Sequence, residues 1–328
     1  MATIQDVAKL ARLSRTTVSR VINHHPYVTD EKKRLVLKAM EELNYVPNSS
    51  ARRLRKQQTE TIAVYVPRIT NPFFSQMVEV MGNHASEKGY QLILCQTSYS
   101  RNKEINYLEL LKTKQVDGLI LTSIENEWRE IKPYLNYGPI VLCNEYNDDA
   151  DIPTVYLNQV EGAYIGTRHL IEQGHTKIAY CSGDNSASRL AFDRFKGYKQ
   201  ALKEAGLEFN DKWILTNAFS IKDGKRIFRA IADMEDRPTA VFTGSDEVAS
   251  GIWLEATNHY WSIPDDLAII GFDDQPQAEL IGLTTIEQPI DEIAKRAMGQ
   301  MIETIENKLP IKKKEIQLNF QLIKRRST

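Results

Sequence analysis

Between positions 15 and 20 the chain reads Arg-Thr-Thr-Val-Ser-Arg, short hydroxyl side chains bracketed by two guanidinium groups. Such hydroxyls hydrogen-bond to base edges, and a guanidinium reaches either the paired acceptors of guanine or a phosphate. On a helix opened by Ser14, the apolar stripe is Val18, Val21 and Ile22, which leaves Arg15, Thr16, Thr17, Ser19 and Arg20 outside it. Two readings of that face are open: a solvated polar surface, or one that reads a duplex. Further on, Leu54 stands among Arg52, Arg53, Arg55 and Lys56. An apolar side chain flanked by arginines suits insertion into a minor groove, and it also suits ordinary packing in a linker.

Charge is distributed in favour of the duplex. Residues 1–60 hold twelve Lys/Arg against six Asp/Glu, a net of +6, and the remaining chain carries a net of -7. A basic end on an acidic body indicates a polyanion-binding module joined to something else.

The elements that must position these side chains are helical. Thr3 with Asp6 three residues on forms an N-terminal capping pattern, followed by Ile4, Val7, Ala8 and Ala11 at helical spacing. Arg12-Leu13-Ser14 breaks that helix, Ser14 caps the second, and Asn23-His24-His25-Pro26 stops it. Thr29 is expected to cap a third, with Asp30 and Glu31 where the helix dipole favours anions and Val36, Ala39, Met40 and Leu43 on its buried face. Two short helices across a three-residue break, backed by a third, form the helix-turn-helix pattern. Thr3 and Asn23, at the helix ends, complete the candidate DNA-contacting set.

The segments IQDVAKLARLSRTTVSRVIN and YVTDEKKRLVLKAMEELNYVPNSSARRLR are similar to the headpiece of the lactose/galactose repressor (LacI/GalR) family. The resemblance implies a recognition helix in the major groove and a hinge helix over residues 47–55 in the minor groove, with Arg52, Leu54 and Arg55 at the DNA. Pro47 suits a helix start, and the small residues at 49–51 let two copies approach closely. One position departs from the family, which has Gly or Asn where this chain has Arg12. At positive φ an arginine there costs on the order of 1 kcal/mol; the turn adjusts locally, or Arg12 offsets the strain with a phosphate contact.

From residue 61 onward, short apolar runs alternate with helical segments. TIAVYVP, YQLILCQT, VDGLILTS and PIVLCNE read as buried strands, with helices near 73–88, 101–114 and 127–135. After TVYLN the pattern repeats: helices near 159–173, 190–205, 222–234 and 246–258 alternate with KIAYCSG, a weaker strand around WILT, TAVFTGS and LAIIGFDD. Such alternation means parallel sheets with right-handed crossovers, here in two α/β series. The resemblance continues through NPFF, RFKGYKQAL, RPTAVFTGSDEVASG, AIIGFDD and LTTIEQP. It implies the two-lobe architecture of periplasmic binding proteins, with the ligand in the cleft. The expected organisation is an all-α headpiece at 1–46, hinge and linker at 47–60, and an α/β sensor and dimerisation domain at 61–328. Within the sensor, lobe 1 takes about 61–158 and 290–318, and lobe 2 takes about 159–289 and 319–328.

Ligands of open parallel sheets bind beyond the carboxyl ends of the strands. The residues there are those from 67 to 74, Ser123, Asn144, Asp184, Ser245, Asp246, Asp273 and Asp274. Phe73 and Phe74 suit stacking on a ring, Arg194 of the Arg-Phe-Lys-Gly-Tyr motif forks onto hydroxyls or a carboxylate, and Asp273 accepts from hydroxyls. The resemblance places ligand contacts at matching positions and adds Arg189, Phe219 and Asp246. Plainer roles compete: Phe74 as core, Asp246 as a helix cap, Asp274 as a solvated neighbour.

An enzyme is not expected. No phosphate loop, dinucleotide fingerprint, zinc-protease motif or nucleophile elbow occurs. The six histidines are scattered, His169 and His175 reading as a helix face and its terminus, and the three cysteines form no C-x-x-C pair. Neither a metal nor a cofactor is expected. MATIQDVAKL lacks the apolar core of an export signal, and no apolar run approaches ~18 residues, so the expectation is a cytoplasmic protein with no membrane partner. An exported solute-binding protein, the other rival, fits neither that N-terminus nor the headpiece. The expected partners are an operator duplex, a second copy of the chain in a homodimer, and a small-molecule effector, a sugar or related metabolite. NHHPYVTDEKK and YLELLKTKQVDGLILTS are most similar to catabolite-control members of the family, some of which answer to a phosphorylated carrier protein. That phosphocarrier stands as the alternative input.

Overall fold

The computed structural model describes residues 2–23, 25–46, 58–183, 188–307 and 312–328, and the chain divides into two compact units, 1–59 and 60–328. The expected hinge helix, with Arg52, Leu54 and Arg55, and the strand-end residue Asp184 lie outside the described residues.

The first unit holds α1 (Ile4–Leu10), α2 (Arg15–Ile22) and α3 (Asp30–Glu42). Thr3 and Asp6 cap α1 reciprocally: Asp6 N donates to Thr3 Oγ1 at 3.3 Å and Thr3 N to Asp6 Oδ2 at 2.9 Å. Ser14 starts α2 by accepting from Thr17 N at 3.1 Å. Thr29 stands at the N-cap of α3, but its hydroxyl takes no cap bond; Lys33 reaches Asp30 at 2.9 Å instead. Val7, Ala8, Val18, Val21, Val36 and Ala39 close over a single small core, so each helix depends on the other two for burial.

The second unit begins with β1 (Thr61–Val66), α4 (Pro72–Glu87), β2 (Gln91–Gln96), α5 (Arg101–Lys112), β3 (Gly118–Leu121), the short α6 (Trp128–Ile131), β4 (Ile140–Cys143) and β5 (Pro153–Leu157). A second series follows: α7 (Gln159–Glu172), β6 (Ile178–Cys181), α8 (Arg189–Glu204), β7 (Ile214–Leu215), α9 (Ile221–Ala232), β8 (Ala240–Thr243) and α10 (Asp246–Asn258). It continues through β9 (Ala268–Asp273), α11 (Pro276–Ile281), β10 (Thr284–Glu287), α12 (Ile290–Asn307), β11 (Lys314–Leu318) and β12 (Gln321–Ile323).

These strands form two sheets. One has the order β11-β5-β4-β3-β1-β2 and is parallel; the other has the order β12-β10-β9-β8-β6-β7 and is parallel except for β12. β1 and β9 are buried along their whole length, which is why they read as unbroken apolar runs rather than alternating ones. The chain passes from the first sheet to the second after β5, returns after β10, and crosses again between β11 and β12. α12 covers the first sheet, placing Ile293, Ala297 and Met301 against Met77, Met81 and Val141. The last residues are stitched into the second sheet: Ile269 N donates to Ser327 O at 2.9 Å, and Thr284 N to Ser327 Oγ at 2.8 Å.

Two helix pairs of the second unit approach at glycine. On α8 a methyl at Gly197 would overlap Val160 O of α7 and stand 2.9 Å from Tyr164 N. Gly224 and Gly251 allow the same backbone contact between α9 and α10.

Candidate functional site

α2 presents its polar face as its period requires. Val18 and Val21 are buried, and Arg15, Thr16 and Arg20 are exposed. Thr17 and Ser19 have partly occupied side chains: the Thr17 and Ser14 hydroxyls lie 2.9 Å apart, and Asn23 Nδ2 donates to Ser19 Oγ at 3.3 Å. Thr3 is engaged in its cap. Among the described residues the side chains of Arg15, Thr16 and Arg20 make no internal hydrogen bond, so their donors are available to another molecule.

Beside them is a notch lined by Gln5, Ala8, Lys9, Arg12, Leu13 and Arg15. Arg12 sits at its turn with φ 53°. Arg12 N donates to Lys9 O and Leu13 N to Ala8 O at 3.0 Å, the paired bonds of a left-handed helix end. The strain that the sequence raised is therefore present, and the turn has not adjusted to remove it. Asn44 takes the same conformation after α3 with φ 44°, a residue type better suited to it. Arg12→Gly is expected to stabilise the protein by about 0.5–1 kcal/mol while weakening DNA binding on every sequence and lowering its salt slope by about one unit. Urea unfolding and salt-dependent binding check the two halves; an unchanged salt slope removes the phosphate contact.

In the second unit a cavity of about 320 Å³ opens between the carboxyl ends of the two sheets. Pro67, Ser123, Glu125, Asn144 and Glu145 line it after β1, β3 and β4; Ser182, Gly244, Asp273 and Gln288 line it after β6, β8, β9 and β10. Non-glycine residues at positive φ collect at these ends: Tyr99 at 55°, Asn144 at 56° and Asp273 at 109°. Such backbone persists where the surroundings enforce it, and it clusters at functional sites.

Phe73, Phe74, Arg194, Phe219 and Asp273, expected from sequence, are brought together there. Phe73 is also core, 4% exposed, whereas Phe74 is half-buried. Tyr99 and Phe219 face each other with ring centres 5.5 Å apart. Arg194 is half-buried, donating from Nε to Gln159 Oε1 and from Nη1 to Gly244 O, both at 2.7 Å, with its guanidinium 3.8 Å from the Phe272 ring centre. Asp273 accepts from Gln288 Nε2 at 2.5 Å and Gln275 Nε2 at 3.0 Å. Burial pushes its carboxyl up to about 6 against the pull of Arg194.

Two expected contacts stand elsewhere. Asp246 does not line the cavity: it is fully buried and accepts from Gln275 N at 2.7 Å and Thr285 Oγ1 at 2.6 Å, tying α10 to the ends of β9 and β10. The cap of α10 is Ser245. Arg189 is not among the lining residues; it forms ion pairs with Asp193 at 3.0 Å and Asp148 at 3.2 Å. Asp274 pairs with Arg325 at 2.7 Å rather than standing free in solvent.

Glu125, Glu145, Tyr99 and Gln288 were not singled out in the sequence. Gln288 follows β10, so the strand-end rule would have found it had β10 been read. Burial first, then Glu125 and Glu104, holds the Glu145 carboxyl well above the usual range, and burial pushes Glu125 up to about 6. Across the mouth of the cavity Arg68 donates to Glu247 at 2.6 Å and to Phe219 O at 2.8 Å, joining the lobes.

No group of His, Cys, Asp and Glu among the described residues could hold a metal. His169 is buried against the Thr328 hydroxyl at 2.8 Å, and the three cysteines are buried and free. No helix among the described residues is long and apolar enough to cross a membrane.

Against known families, residues 3–48 match the bacterial regulatory proteins of the lacI family, and residues 59–325 match the periplasmic binding proteins and sugar-binding domain of that family. NtdR, regulator of an NTD biosynthesis operon in Bacillus subtilis (strain 168), is 45% identical, with 100% of each chain covered. Among solved structures, the transcriptional regulator CelR in complex with cellobiose is 26% identical with a TM-score of 0.73 and 100% of each chain covered. The lac repressor dimer bound to its operator and an anti-inducer shares the fold at a TM-score of 0.86 over 99% of this chain and 98% of its own, at 23% identity.

Proposed function

The chain belongs to the lacI family of bacterial regulatory proteins, and from that premise we propose that it binds a near-palindromic operator as a homodimer and responds to a sugar or related metabolite held between its sensor lobes. It is a DNA-binding transcriptional regulator and not an enzyme. The observation that carries the effector reading is the cavity itself, with aromatic rings and polar side chains converging from the carboxyl ends of both sheets. This enclosed site favours a cleft ligand over a carrier protein docked on the surface. CelR holds cellobiose in the same fold, which supports a carbohydrate or a compound of similar size and polarity.

A headpiece of about sixty residues contacts too few bases to select one site in a genome, which is the argument for two copies. Residues 47–60 serve as hinge and linker, and Leu54, flanked by Arg52 and Arg55, as the minor-groove wedge. The ligand contacts assigned are Phe74, Arg194, Phe219 and Asp273, with Phe73 behind them.

Arg15 carries the sharpest test. It opens α2, the end that enters the major groove in helix-turn-helix complexes, it is exposed, and no side chain among the described residues holds its guanidinium. Read as a guanine contact, Arg15→Ala costs about 1–3 kcal/mol on the best operator and flattens preference at a single position of each half-site. Binding-site selection with the full-length protein and the variant measures this directly. It also reports the symmetry of the site: an asymmetric consensus excludes the dimer, and an unchanged base preference makes Arg15 a phosphate contact.

A further inference from the structure

The first-lobe wall of the cavity is built from hydrogen-bond acceptors that the protein leaves without donors. Glu145 is 7% exposed and lines the cavity, yet no donor or cation among the described residues reaches its carboxylate within bonding distance. The carboxylate of Glu125, half-buried on the same wall, is in the same position. Ser123 Oγ and Asn144 Oδ1, on residues 7% and 3% exposed, are buried and unpartnered as well. The contrast with Glu104 just behind them is informative: that carboxylate accepts from Glu125 N, Asn126 N and Asn126 Nδ2, and so is spent on the fold.

The opposite wall supplies charge only at a distance. Arg194 and Arg189 favour the ionised Glu145 without pairing with it; Arg194 is the one guanidinium among the described residues that line the cavity, and its Nε and Nη1 are engaged by Gln159 and Gly244. Asp273 beside it adds a third carboxylate, satisfied by two glutamine amides. A buried carboxylate is stable when paired or when neutralised. A phosphate or carboxylate ligand would add negative charge to this wall, and a neutral sugar would leave its carboxyls to be neutralised by protons, whereas a cation pairs with them as carboxylates.

We propose that the ligand of this cavity is cationic, an aminated sugar or similar hydroxyl-bearing amine whose ammonium group is held by Glu145 and Glu125. Ser123 and Asn144 take its neighbouring donors, and Phe74 and Phe219 cover its apolar face. This rests on the reading of the cavity as the effector site and narrows the chemical class of effector that it accepts.

The test uses the full-length protein near pH 7, with glucosamine, galactosamine and mannosamine as probes. Each is compared with its N-acetyl form, which keeps the shape and loses the charge, and with its parent hexose; glucose 6-phosphate is the anionic control. At least one amine is expected to raise the thermal midpoint and to bind about tenfold or more tightly than its neutral counterparts, the size of a charge-assisted hydrogen bond. Glu145→Gln and, separately, Glu125→Gln bring that amine down to the level of the neutral sugar. The ligand-free Glu145→Gln protein melts no lower than the parent, which separates lost binding from lost folding. A neutral sugar or the phosphate binding as tightly as its amine overturns the inference, as does amine binding that survives Glu145→Gln, or no binding by any of the three amines. Operator binding measured in parallel keeps the two readings distinct. A neutral hexose that binds and alters operator affinity ends this inference and preserves the effector cavity, whereas a protein with no sequence-specific DNA binding ends the regulatory reading whatever the sugars do.

Discussion

Arg194→Ala is expected to destabilise the protein by about 3–5 kcal/mol and to abolish any effector response. Arg194 is half-buried in the cavity wall, donating to Gln159 and Gly244 and lying on the Phe272 ring. Removing it leaves two buried acceptors without their charged donor and Asp273 without its nearest positive charge, the situation in which losing one member of a buried charged group is most damaging. The deficit has a pH signature. The Asp273 carboxyl is raised in the folded state, up to about 6, so the folded state holds that proton more tightly than the unfolded chain. Its contribution is present at low pH and lost as pH rises through about 6. Without Arg194 the ionised carboxylate is harder still to keep, so the deficit grows between pH 5 and 7. The raised carboxyls of Asp246, Glu104 and Glu125 do not depend on Arg194 and largely cancel in the difference, while Glu145, which Arg194 also pulls down, adds to the deficit in the same direction. Urea unfolding of parent and variant at the two pH values measures this; a loss below about 1 kcal/mol, or one that shrinks toward neutral pH, contradicts it.

Gly197→Ala, a change of one methyl, is expected to cost about 3 kcal/mol, the upper part of the usual range for overpacking. The atoms that the methyl meets are Val160 O and Tyr164 N, both backbone, and neither can rotate aside. α8 must therefore back away from α7. Arg194 lies one turn earlier on α8 and reaches Gln159 at the start of α7, so the same displacement should weaken effector binding although Gly197 touches no cavity. A folded variant with normal stability and normal effector titration would show that the helices can separate freely. Gly82, where an added methyl meets nothing within 4 Å, is the matched control.

The legibility of these features in the sequence followed from how local their causes are. α1 and α2 were readable because Thr3, Asp6 and Ser14 cap within one turn and the valine stripe lies within eight residues. Arg194 and Asp273 were readable because strand ends in a parallel sheet face the ligand wherever the strands themselves are recognised. Asp246 and Arg189 were misplaced for a related reason. Each follows a strand end and opens a helix, and sequence position does not reveal which of two adjacent side chains turns toward the cavity: after β8 it is Ser245, while Asp246 turns into the sheet. Glu145 was passed over because a glutamate beyond a strand ordinarily faces solvent, whereas here it is 7% exposed. No strand was read at β11 or β12, both of them edge strands with mixed burial. The α12 stripe of Ile290, Ile293, Ala297, Met301 and Ile305 was, by contrast, there to be read.

The late crossings between lobes have a consequence for how the protein comes into being. The headpiece is complete by residue 59, but the first sheet waits for β11 and the second for β12, strands that leave the ribosome within a few residues of each other. At ordinary rates of synthesis the interval between the first folded unit and the last sheet strand is on the order of 10–50 s. Throughout it a nascent chain presents a finished DNA-contacting headpiece tethered to two unfinished sheets, each with an open edge where its final strand will pair. Neither lobe can complete its sheet far ahead of the other, so effector sensing arises in one step, once residues 314–323 have emerged.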